Sequence, residues 1–268
     1  MGLANILVHL DSTPRASARL ALSMSIAERT GARLTGLFAE LAEPHTVGVV
    51  SVWPSAHYTA ALESARSAFA ATTATLKDRA AFIDLNRGSE REIFHRLTGI
   101  ARTFDLIVVG QTQRGAPAPA KLPDELITES GRPVLVVPYV GNYSEVGKRP
   151  LFAWHSSRGA ARAVSDALPL LMSGADALII EVGWSEPRDE FSDFLVANLG
   201  YHKVKARYQH FVVDEISVAD TLLSAISDHS ADLLVTGAFD SGVHSLFGHG
   251  AGTRHILAHM TAPVLFSH

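Results

Sequence analysis

Two short stretches decide the fold: Asp-Leu-Ile-Val-Val-Gly at residues 105–110 and Asp-Leu-Leu-Val-Thr-Gly at residues 232–237. In each, the residues after the aspartate are apolar at consecutive positions, so the strand that they predict is buried on both faces. Strands of this kind belong to parallel sheets that are covered by helices. Helical patterns such as Ala16–Arg29 and Gly159–Met172 alternate with further apolar runs, which predicts an α/β protein with a doubly wound sheet.

The sequence around these two stretches also repeats. Leu10–Arg19 matches Trp154–Arg162, with one residue gained in the first copy. Residues 132–137 match residues 262–267 in the same way. Three separate matches in the same order indicate a tandem duplication of one α/β unit.

The duplication predicts two tandem, doubly wound domains. We expect the first over residues 1–140 and the second over residues 149–268, with the polar stretch 141–148 between them. Each domain is expected to contain a five-stranded parallel sheet with helices on both of its faces.

The composition excludes several classes of site and partner. The chain has 268 residues, a net charge of −4 and no cysteine, which excludes disulfides and cysteine-ligated metal centres. No run of five residues is solidly Lys or Arg, which argues against nucleic acid or an anionic membrane as a partner. Apolar runs such as Ala177–Ile180 are far shorter than a membrane span, and Asn5–Leu10 is typical of a buried strand rather than of a signal peptide. The cytoplasm is therefore the expected location.

The segment that follows the second of the two stretches is rich in glycine. Residues 238–252 contain four glycines, and a helix is predicted to begin near Gly252. Glycines before a helix N-terminus let backbone N–H groups converge on an anion, and the helix dipole adds to the attraction. Ligands of open parallel sheets bind beyond the carboxyl ends of the strands, where this segment is expected. The alternative is that these glycines only form tight turns and helix caps.

These features together resemble the universal stress protein family in its tandem two-domain form, over essentially the whole chain. The anchors are the opening residues 6–12, the strands that end at Gly110 and Gly237, and the closing strands that begin at Pro133 and Pro263. The resemblance implies an adenine nucleotide alpha hydrolase-like fold and a non-catalytic, cytoplasmic regulatory protein of the stress response. It also implies that ATP or a related nucleotide binds, together with Mg²⁺.

The resemblance extends to particular residues of the second copy. In the nucleotide-binding branch of that family, the loop reads Gly, two residues, Gly, nine residues, Gly, and then Ser or another small residue. Here the spacing is kept, but Asp240 replaces the second Gly and Ala251 replaces the Ser-type residue, while Thr253 offers a hydroxyl. His155 stands where the family's first strand ends in Asp. The implied nucleotide site consists of His155, Ser156, Val182, Thr236, Gly237, Asp240, Gly250, Ala251, Gly252 and Thr253.

Asp240 has two interpretations. A carboxylate 4 Å from a phosphate charge repels it by about 1 kcal/mol in water, and by more where solvent is excluded. A bound Mg²⁺ reverses the sign, because carboxylates and phosphates share this ion as ligands. Alternatively, Asp240 points into solvent or caps a turn, as aspartates commonly do. The sequence leaves both interpretations open.

The first copy departs from the family pattern in the opposite way. It keeps Asp11 at the end of its first strand, but its loop over residues 110–123 is shorter and contains three prolines, which lack a backbone donor. No Gly followed by a small residue precedes the next helix, so we expect no phosphate cradle there. The stretch from Gly115 onward is not a P-loop either, because it lacks the Gly before Lys121 and the Ser or Thr after it.

Four histidines of the second copy invite a metal hypothesis. His255 and His259 are four residues apart on one predicted helix, and His244 and His249 lie in the preceding loop. Zinc needs three or four converging ligands, and the protease motif needs Glu directly after the first His, where this chain has Ile256. We therefore read them as surface or capping histidines and predict no metal site.

We predict no catalytic residue. The sequence contains no Gly-x-Ser-x-Gly stretch. Ser156 and Ser157 lie between a predicted strand and a predicted helix, which is typical of N-caps. Arg158 and Arg162 are one turn apart and are expected on a solvated helix face. Weak ATP hydrolysis is suggested by the family resemblance alone.

The resemblance also implies partners. Family members commonly pair through the last strand, so the two domains are expected to form an intramolecular pseudo-dimer with Pro133–Val137 beside Pro263–Ser267. Homodimers of the whole chain are a further expectation. The second functional hypothesis is an interaction or sensor module that has lost nucleotide binding or binds another small ligand. The substitutions Asp240 and His155 and the shortened first loop motivate it.

Overall fold

The computed structural model describes residues 2–41, 45–47, 50–52, 54–86, 88–183, 191–212, 218–238 and 250–268. The chain divides into two compact units, Met1–Val134 and Leu135–His268. Among the described residues, no helix is both long enough and apolar enough to span a membrane.

The first unit alternates strands and helices. Its strands are β1 (Asn5–Leu10), β2 (Arg33–Phe38), β3 (His45–Val47), β4 (Val50–Val52), β5 (Ala80–Asp84) and β6 (Leu106–Gly110), and β7 (Val134–Val137) begins at its end. Its helices are α1 (Ala16–Thr30), α2 (Ala56–Thr72), α3 (Glu90–Ala101) and α4 (Leu122–Glu129).

The main sheet of the first unit has the order β5-β2-β1-β6. The pairs β1–β2, β1–β6 and β2–β5 are all parallel. The strands β1 and β6 are buried along almost their whole length, as expected for a sheet that is covered on both faces.

The second unit repeats this arrangement. Its strands are β8 (Pro150–Ala153), β9 (Asp176–Gly183), β10 (Lys205–Val212), β11 (Leu233–Gly237) and β12 (Val264–Ser267), and its helices are α5 (Arg158–Ala167), α6 (Ser192–Tyr201), α7 (Val218–Asp228) and α8 (Ala251–His259). The sheet order is β10-β9-β8-β11-β12, and the paired strands are parallel. The predicted doubly wound α/β fold is therefore confirmed.

The aspartate that opens each of the two deciding stretches has the same structural task in both units. The Asp105 carboxylate accepts hydrogen bonds from the backbone N–H groups of Ala4 and Asn5, at 2.9 and 3.0 Å. Asp232 accepts from the N–H groups of Lys148 and Arg149, at 2.8 and 3.0 Å. Each aspartate thus ties the start of its own strand to the start of the unit's central strand, and the duplication is visible at the level of single bonds.

Two segments of the first unit differ from the sequence prediction. The stretch from Pro44 to Pro54, predicted as a loop, contains the short antiparallel pair β3–β4. The helix predicted over Ala60–Arg79 ends at Thr72 and gives way to a 3₁₀ helix over Ala74–Arg79. Its end is marked by Thr73, whose N–H and hydroxyl both donate to the Phe69 carbonyl, at 2.9 and 2.8 Å. Such side-chain bonding competes with helix continuation.

Candidate functional site

The carboxyl ends of β8, β9 and β11 bring most of the predicted site residues of the second unit to one edge of its sheet. The central strand β8 is flanked by β9 and β11, and His155 and Ser156 follow it after Trp154. Val182 lies at the end of β9, and Thr236 and Gly237 form the end of β11. Because parallel strands end at the same edge, these residues lie at the crevice where ligands of open α/β sheets bind.

The N-terminus of α8 is the candidate anion-binding element of this edge. Gly250 is its N-cap residue, with φ of +78°, and as a glycine it brings no side-chain cap. The first intrahelical bond runs from the Arg254 N–H to the Gly250 carbonyl at 3.0 Å, so the N–H groups of Ala251, Gly252 and Thr253 precede the helical ladder. N–H groups in the first turn of a helix are aligned with the positive end of the dipole, which favours an anion.

The remaining predicted site residues differ in exposure, and one of them lies outside the described residues. The side chain of Thr253 is buried, at 8% exposure, and Gly252 is exposed. Asp240 lies outside the described residues, as do His244 and His249.

Gly237 has a packing task that the sequence did not reveal. A Cβ atom at this position would lie 2.9 Å from the carbonyl carbon of Gly159 and 3.1 Å from the backbone nitrogen of Ala160. The end of β11 therefore meets the first turn of α5 backbone to backbone. Ser157 caps that turn, as predicted, by accepting from the Ala160 N–H at 3.2 Å. The sequence contained one signal for this close approach: in the same repeat, the strand ends in a glycine, Gly237, and the helix begins with another, Gly159.

The two arginines of α5 both lie on the solvent-exposed side of this helix. Arg158 is exposed, and Arg162 lies 3.5 Å from Asp166 with about half of its side chain exposed. This placement agrees with the predicted solvated face.

A buried ion pair occupies the corresponding edge of the first unit. The Arg19 guanidinium donates to the His9 carbonyl at 2.7 Å and to the Asp11 carboxylate at 2.9 Å. Arg19 and Asp11 are only 3% and 7% exposed. A Cβ atom at Gly110 would lie 2.3 Å from Arg19 Nη1, so the guanidinium lies directly against the end of β6. The arginine therefore fills the space between the ends of β1 and β6.

The charges of this cluster shift the pKa values of its members. Burial by itself raises the pKa of Asp11, but the Arg19 charge and the hydrogen bonds from Thr13 outweigh it and hold that pKa below its usual range. Burial lowers the pKa of His9 to about 4, although Asp11 opposes the shift. His9 is thus neutral at pH 7, with Nε2 2.8 Å from the Ala39 carbonyl oxygen.

Two more carboxylates line the same edge of the first unit. Glu40, which is 2% exposed, accepts from the Ser12 N–H. Asp84 accepts from the Tyr58 hydroxyl at 2.9 Å and from the Asn86 N–H at 2.8 Å. Burial, followed by the bond to Asp84, raises the pKa of Tyr58. These acids would repel phosphate, and they already accept hydrogen bonds from the chain's own donors.

The loop after β6 also differs from a phosphate cradle. The Thr112 hydroxyl donates to the Ala120 carbonyl at 2.7 Å, and the Leu41 N–H donates to the Pro117 carbonyl at 2.7 Å. The helix that follows, α4, has Pro123 in its first turn, which removes one of the N–H groups that an anion would need.

The histidine pair of α8 has a partner on the neighbouring helix. His255 Nε2 lies 2.7 Å from the Asp220 carboxylate of α7, and the His255 and His259 rings stack with centroids 4.4 Å apart. Within the described ranges, no group of three or more His, Asp or Glu side chains is arranged to hold a metal ion.

Sequence reasoning missed His9, Arg19 and Glu40. A signal for Arg19 was present, because it precedes Leu22 by three residues and Ile26 by seven, on the apolar side of α1. His9 occupies an otherwise apolar buried strand, and Glu40 follows another. Charged residues at such positions are buried only when they are paired, which no pattern in the chain indicates.

The parallel sheets with alternating strands and helices define the class of doubly wound α/β folds. More specifically, the chain has the fold of the universal stress proteins. The structure of a universal stress protein from Archaeoglobus fulgidus DSM 4304 is similar over 98% of this chain and 95% of its own, with a TM-score of 0.68 and 16% identity. A protein of unknown function from Pseudomonas aeruginosa PAO1 is similar over 99% and 92%, with a TM-score of 0.56 and 14% identity. No protein-family model and no curated protein matches the sequence.

These comparisons confirm, at the level of the fold, the resemblance that the sequence showed. At 14–16% identity they establish no ligand. The case for a ligand depends on the residues of the second unit.

Proposed function

We propose that the protein is a non-catalytic, cytoplasmic regulator of the stress response that binds ATP or a related nucleotide in its second unit. The observation that carries this proposal is the start of α8, where Gly250 is the N-cap residue and adopts a left-handed conformation. A helix start of this kind directs its first N–H groups and the positive end of its dipole toward a bound phosphate.

The base and ribose are assigned to the same edge of the sheet. His155 and Ser156 follow the central strand β8, and Val182 lies at the end of the neighbouring strand β9. An imidazole ring and a valine side chain suit the planar, apolar faces of a base, and the Ser156 hydroxyl suits a ribose. In this assignment, binding changes contacts with partners and no bond of the nucleotide is broken.

Calorimetry with ATP tests the proposal. Gly250→Val is expected to abolish binding, because a branched side chain cannot readily keep φ of +78°. The matched control is Gly174→Val, since Gly174 has φ of +79° and open space around its Cβ position, in the turn before β9. The control carries the same backbone strain and is expected to bind normally. Wild-type protein that is free of nucleotide and gives no heat with millimolar ATP would contradict the proposal.

Asp240 provides the test for Mg²⁺. If this carboxylate shares the ion with the phosphates, Asp240→Asn weakens ATP binding in the presence of Mg²⁺ and strengthens it in the presence of a chelator. If Asp240 belongs to a turn, the affinity stays the same under both conditions.

The second candidate function is an interaction or sensor module that binds another small ligand or none. It is favoured by the first unit, whose strand-end edge is closed by its own side chains. A thermal shift with another metabolite, together with no shift with ATP, would favour this function. Pairing of the two units through their last strands, and homodimers of the chain, belong to both proposals.

A further inference from the structure

Helix α6 of the second unit exposes aromatic side chains. It buries Leu195 and Leu199 against its own unit, at 8% and 0% exposure. On the opposite side, Phe194 is 72% exposed and Tyr201 is 83% exposed, and Phe191, just before the helix, is 60% exposed. Large aromatic residues at such exposure on one helix face mark an interaction surface more often than chance.

The equivalent helix of the first unit provides an internal comparison. Both α2 and α6 lie between the second strand of the unit's main sheet and its edge strand. The aromatic residues of α2 are buried, with Tyr58 at 1% and Phe69 at 4% exposure. Its exposed side consists of residues such as Ser64 and Ser67. The aromatic exposure of α6 is therefore a property of this helix and does not follow from its place in the fold.

The exposed residues of α6 form one surface. Phe194, Ala197 and Tyr201 are spaced by three and four residues, so they share one helix face, and Asn198 lies beside them. We call the surface formed by Asp193, Phe194, Ala197, Asn198 and Tyr201 the α6 face. The three exposed aromatic residues present roughly 300–500 Å² of surface. That is the size of the largest apolar patches on monomers, and about half of the ~800 Å² that each partner buries in a stable complex.

We propose that the α6 face binds the α6 face of a second copy of the chain, with the two helices antiparallel about a two-fold axis. An axis between Ala197 and Asn198 places Phe194 of one copy opposite Tyr201 of the other. It also places the exposed Asp193 of one copy opposite the end of α6 in the other, where His202 and Lys203 are exposed. The face is thus complementary to itself in charge, and the small side chain of Ala197 beside the axis lets the helices approach closely.

The distribution of charge argues against two alternatives: pairing of two copies through the neighbouring edge strand, and binding of this region to an anionic membrane. The neighbouring edge strand β10 carries exposed Lys205 and Arg207, the latter 3.7 Å from Asp176, and charged side chains on an edge strand disfavour strand-to-strand pairing. An anionic membrane surface would attract Lys203 but repel Asp193, which lies beside Phe194. In the proposed pair of α6 helices, Asp193 and Lys203 each lie near a charge of opposite sign on the other copy.

Engineered cysteines test the geometry directly, because the chain has none of its own. Ala197→Cys lies beside the axis, where the two Cα atoms can approach within disulfide range, below ~7 Å. Under mild oxidation we expect a covalent dimer. The matched control is Ser67→Cys, at an exposed position of α2, which is expected to cross-link only slowly.

Sedimentation equilibrium gives the second measurement. We expect wild-type protein to dimerise, and Phe194→Ser/Tyr201→Ser to be monomeric with the same thermal unfolding temperature, because both side chains are exposed. Asp193→Lys is expected to weaken the dimer, and the added change Lys203→Asp to restore it.

Several results would overturn this inference. These are a monomeric wild type at every concentration, a dimer that survives the double serine variant, or Ala197→Cys cross-linking no faster than Ser67→Cys. Binding to phosphatidylserine vesicles that the double serine variant loses would assign the α6 face to membranes instead. Nucleotide binding by Gly250 and its neighbours is independent of all these outcomes.

Discussion

The two units share one fold but use the carboxyl edge of their sheets differently. In the first unit, Arg19 and Asp11 form a buried ion pair at the end of the central strand. In the second unit, the central strand is followed by His155, and the helix α8 begins at a glycine N-cap, Gly250. The two units thus differ at this edge: the first is closed by the chain's own charges, and the second contains a helix start with a glycine N-cap.

The difference depends on a few positions. The repeat aligns Arg19 with Arg162, yet Arg19 is 3% exposed whereas the Arg162 side chain is 48% exposed. A guanidinium lies against Gly110, whereas the first turn of α5 packs against Gly237. In the first unit, Arg19 and Asp11 therefore occupy the space that is filled in the second unit by the close contact between helix α5 and strand β11. The following predictions test this comparison, from the largest expected effect to the smallest.

Arg19→Ala is expected to have the largest effect, a loss of about 3–5 kcal/mol of unfolding free energy, because it leaves the Asp11 carboxylate buried without its cation. Urea unfolding followed by circular dichroism measures this loss. The control is Arg162→Ala, since the repeat aligns Arg162 with Arg19 but the side chains of its pair with Asp166 are 48% and 24% exposed. That variant is expected to lose less than about 1 kcal/mol. Equal losses would show that the first edge is not held by a buried pair.

The second prediction concerns pH. The pKa of His9 falls to about 4 in the folded protein, from 6.5, so the unfolded chain binds a proton at pH 5 that the folded protein does not. Protonation therefore favours unfolding as the pH falls below 6.5, and stability is expected to drop by about 2 kcal/mol between pH 7 and pH 5. Urea titrations of wild type and His9→Gln at both pH values measure the effect.

The variant His9→Gln should remove most of this pH dependence. The pKa of Asp11 lies below its usual range, so the stability that this carboxylate contributes is complete above about pH 4 and is lost only at lower pH. Asp11 therefore does not contribute to the change between pH 7 and pH 5. An unchanged pH dependence in His9→Gln would place the titrating group elsewhere.

Much of the fold could be predicted from the sequence, because apolar runs and helical periods are repeated in both halves. The antiparallel pair β3–β4 could not be predicted, since a stretch rich in Val and Ser between two prolines is typical of a loop as well. At the site, the glycines and the end of β8 were predictable from order along the chain. The place of Arg19 on the apolar side of α1 was indicated by its spacing from Leu22 and Ile26, but its pairing with Asp11 was not, because no pattern in the chain indicates which residue neutralises a buried charge.

The third prediction tests what the two units have in common. Asp105→Ala and Asp232→Ala each remove a carboxylate that accepts two backbone N–H groups. We expect each variant to lose about 1–3 kcal/mol, and the two losses to agree within about 0.5 kcal/mol. Hydrogen exchange of the N–H groups of Asn5 and Arg149 would locate each loss in its own unit. A loss confined to one unit would mean that the duplication is no longer symmetrical at these bonds.

The smallest effect is expected at the pair that joins α7 to α8. Asp220 and His255 are close, at 2.7 Å, but their side chains are 50% and 38% exposed, so water and salt screen the pair. Asp220→Asn is therefore expected to cost less than about 1 kcal/mol in urea unfolding, and to cost still less in high salt. The strand-end edge of the second unit is then positioned by packing and backbone, whereas that of the first depends on a buried charge pair. A loss as large as that of Arg19→Ala would show that both edges depend on ion pairs, and that burial does not distinguish them.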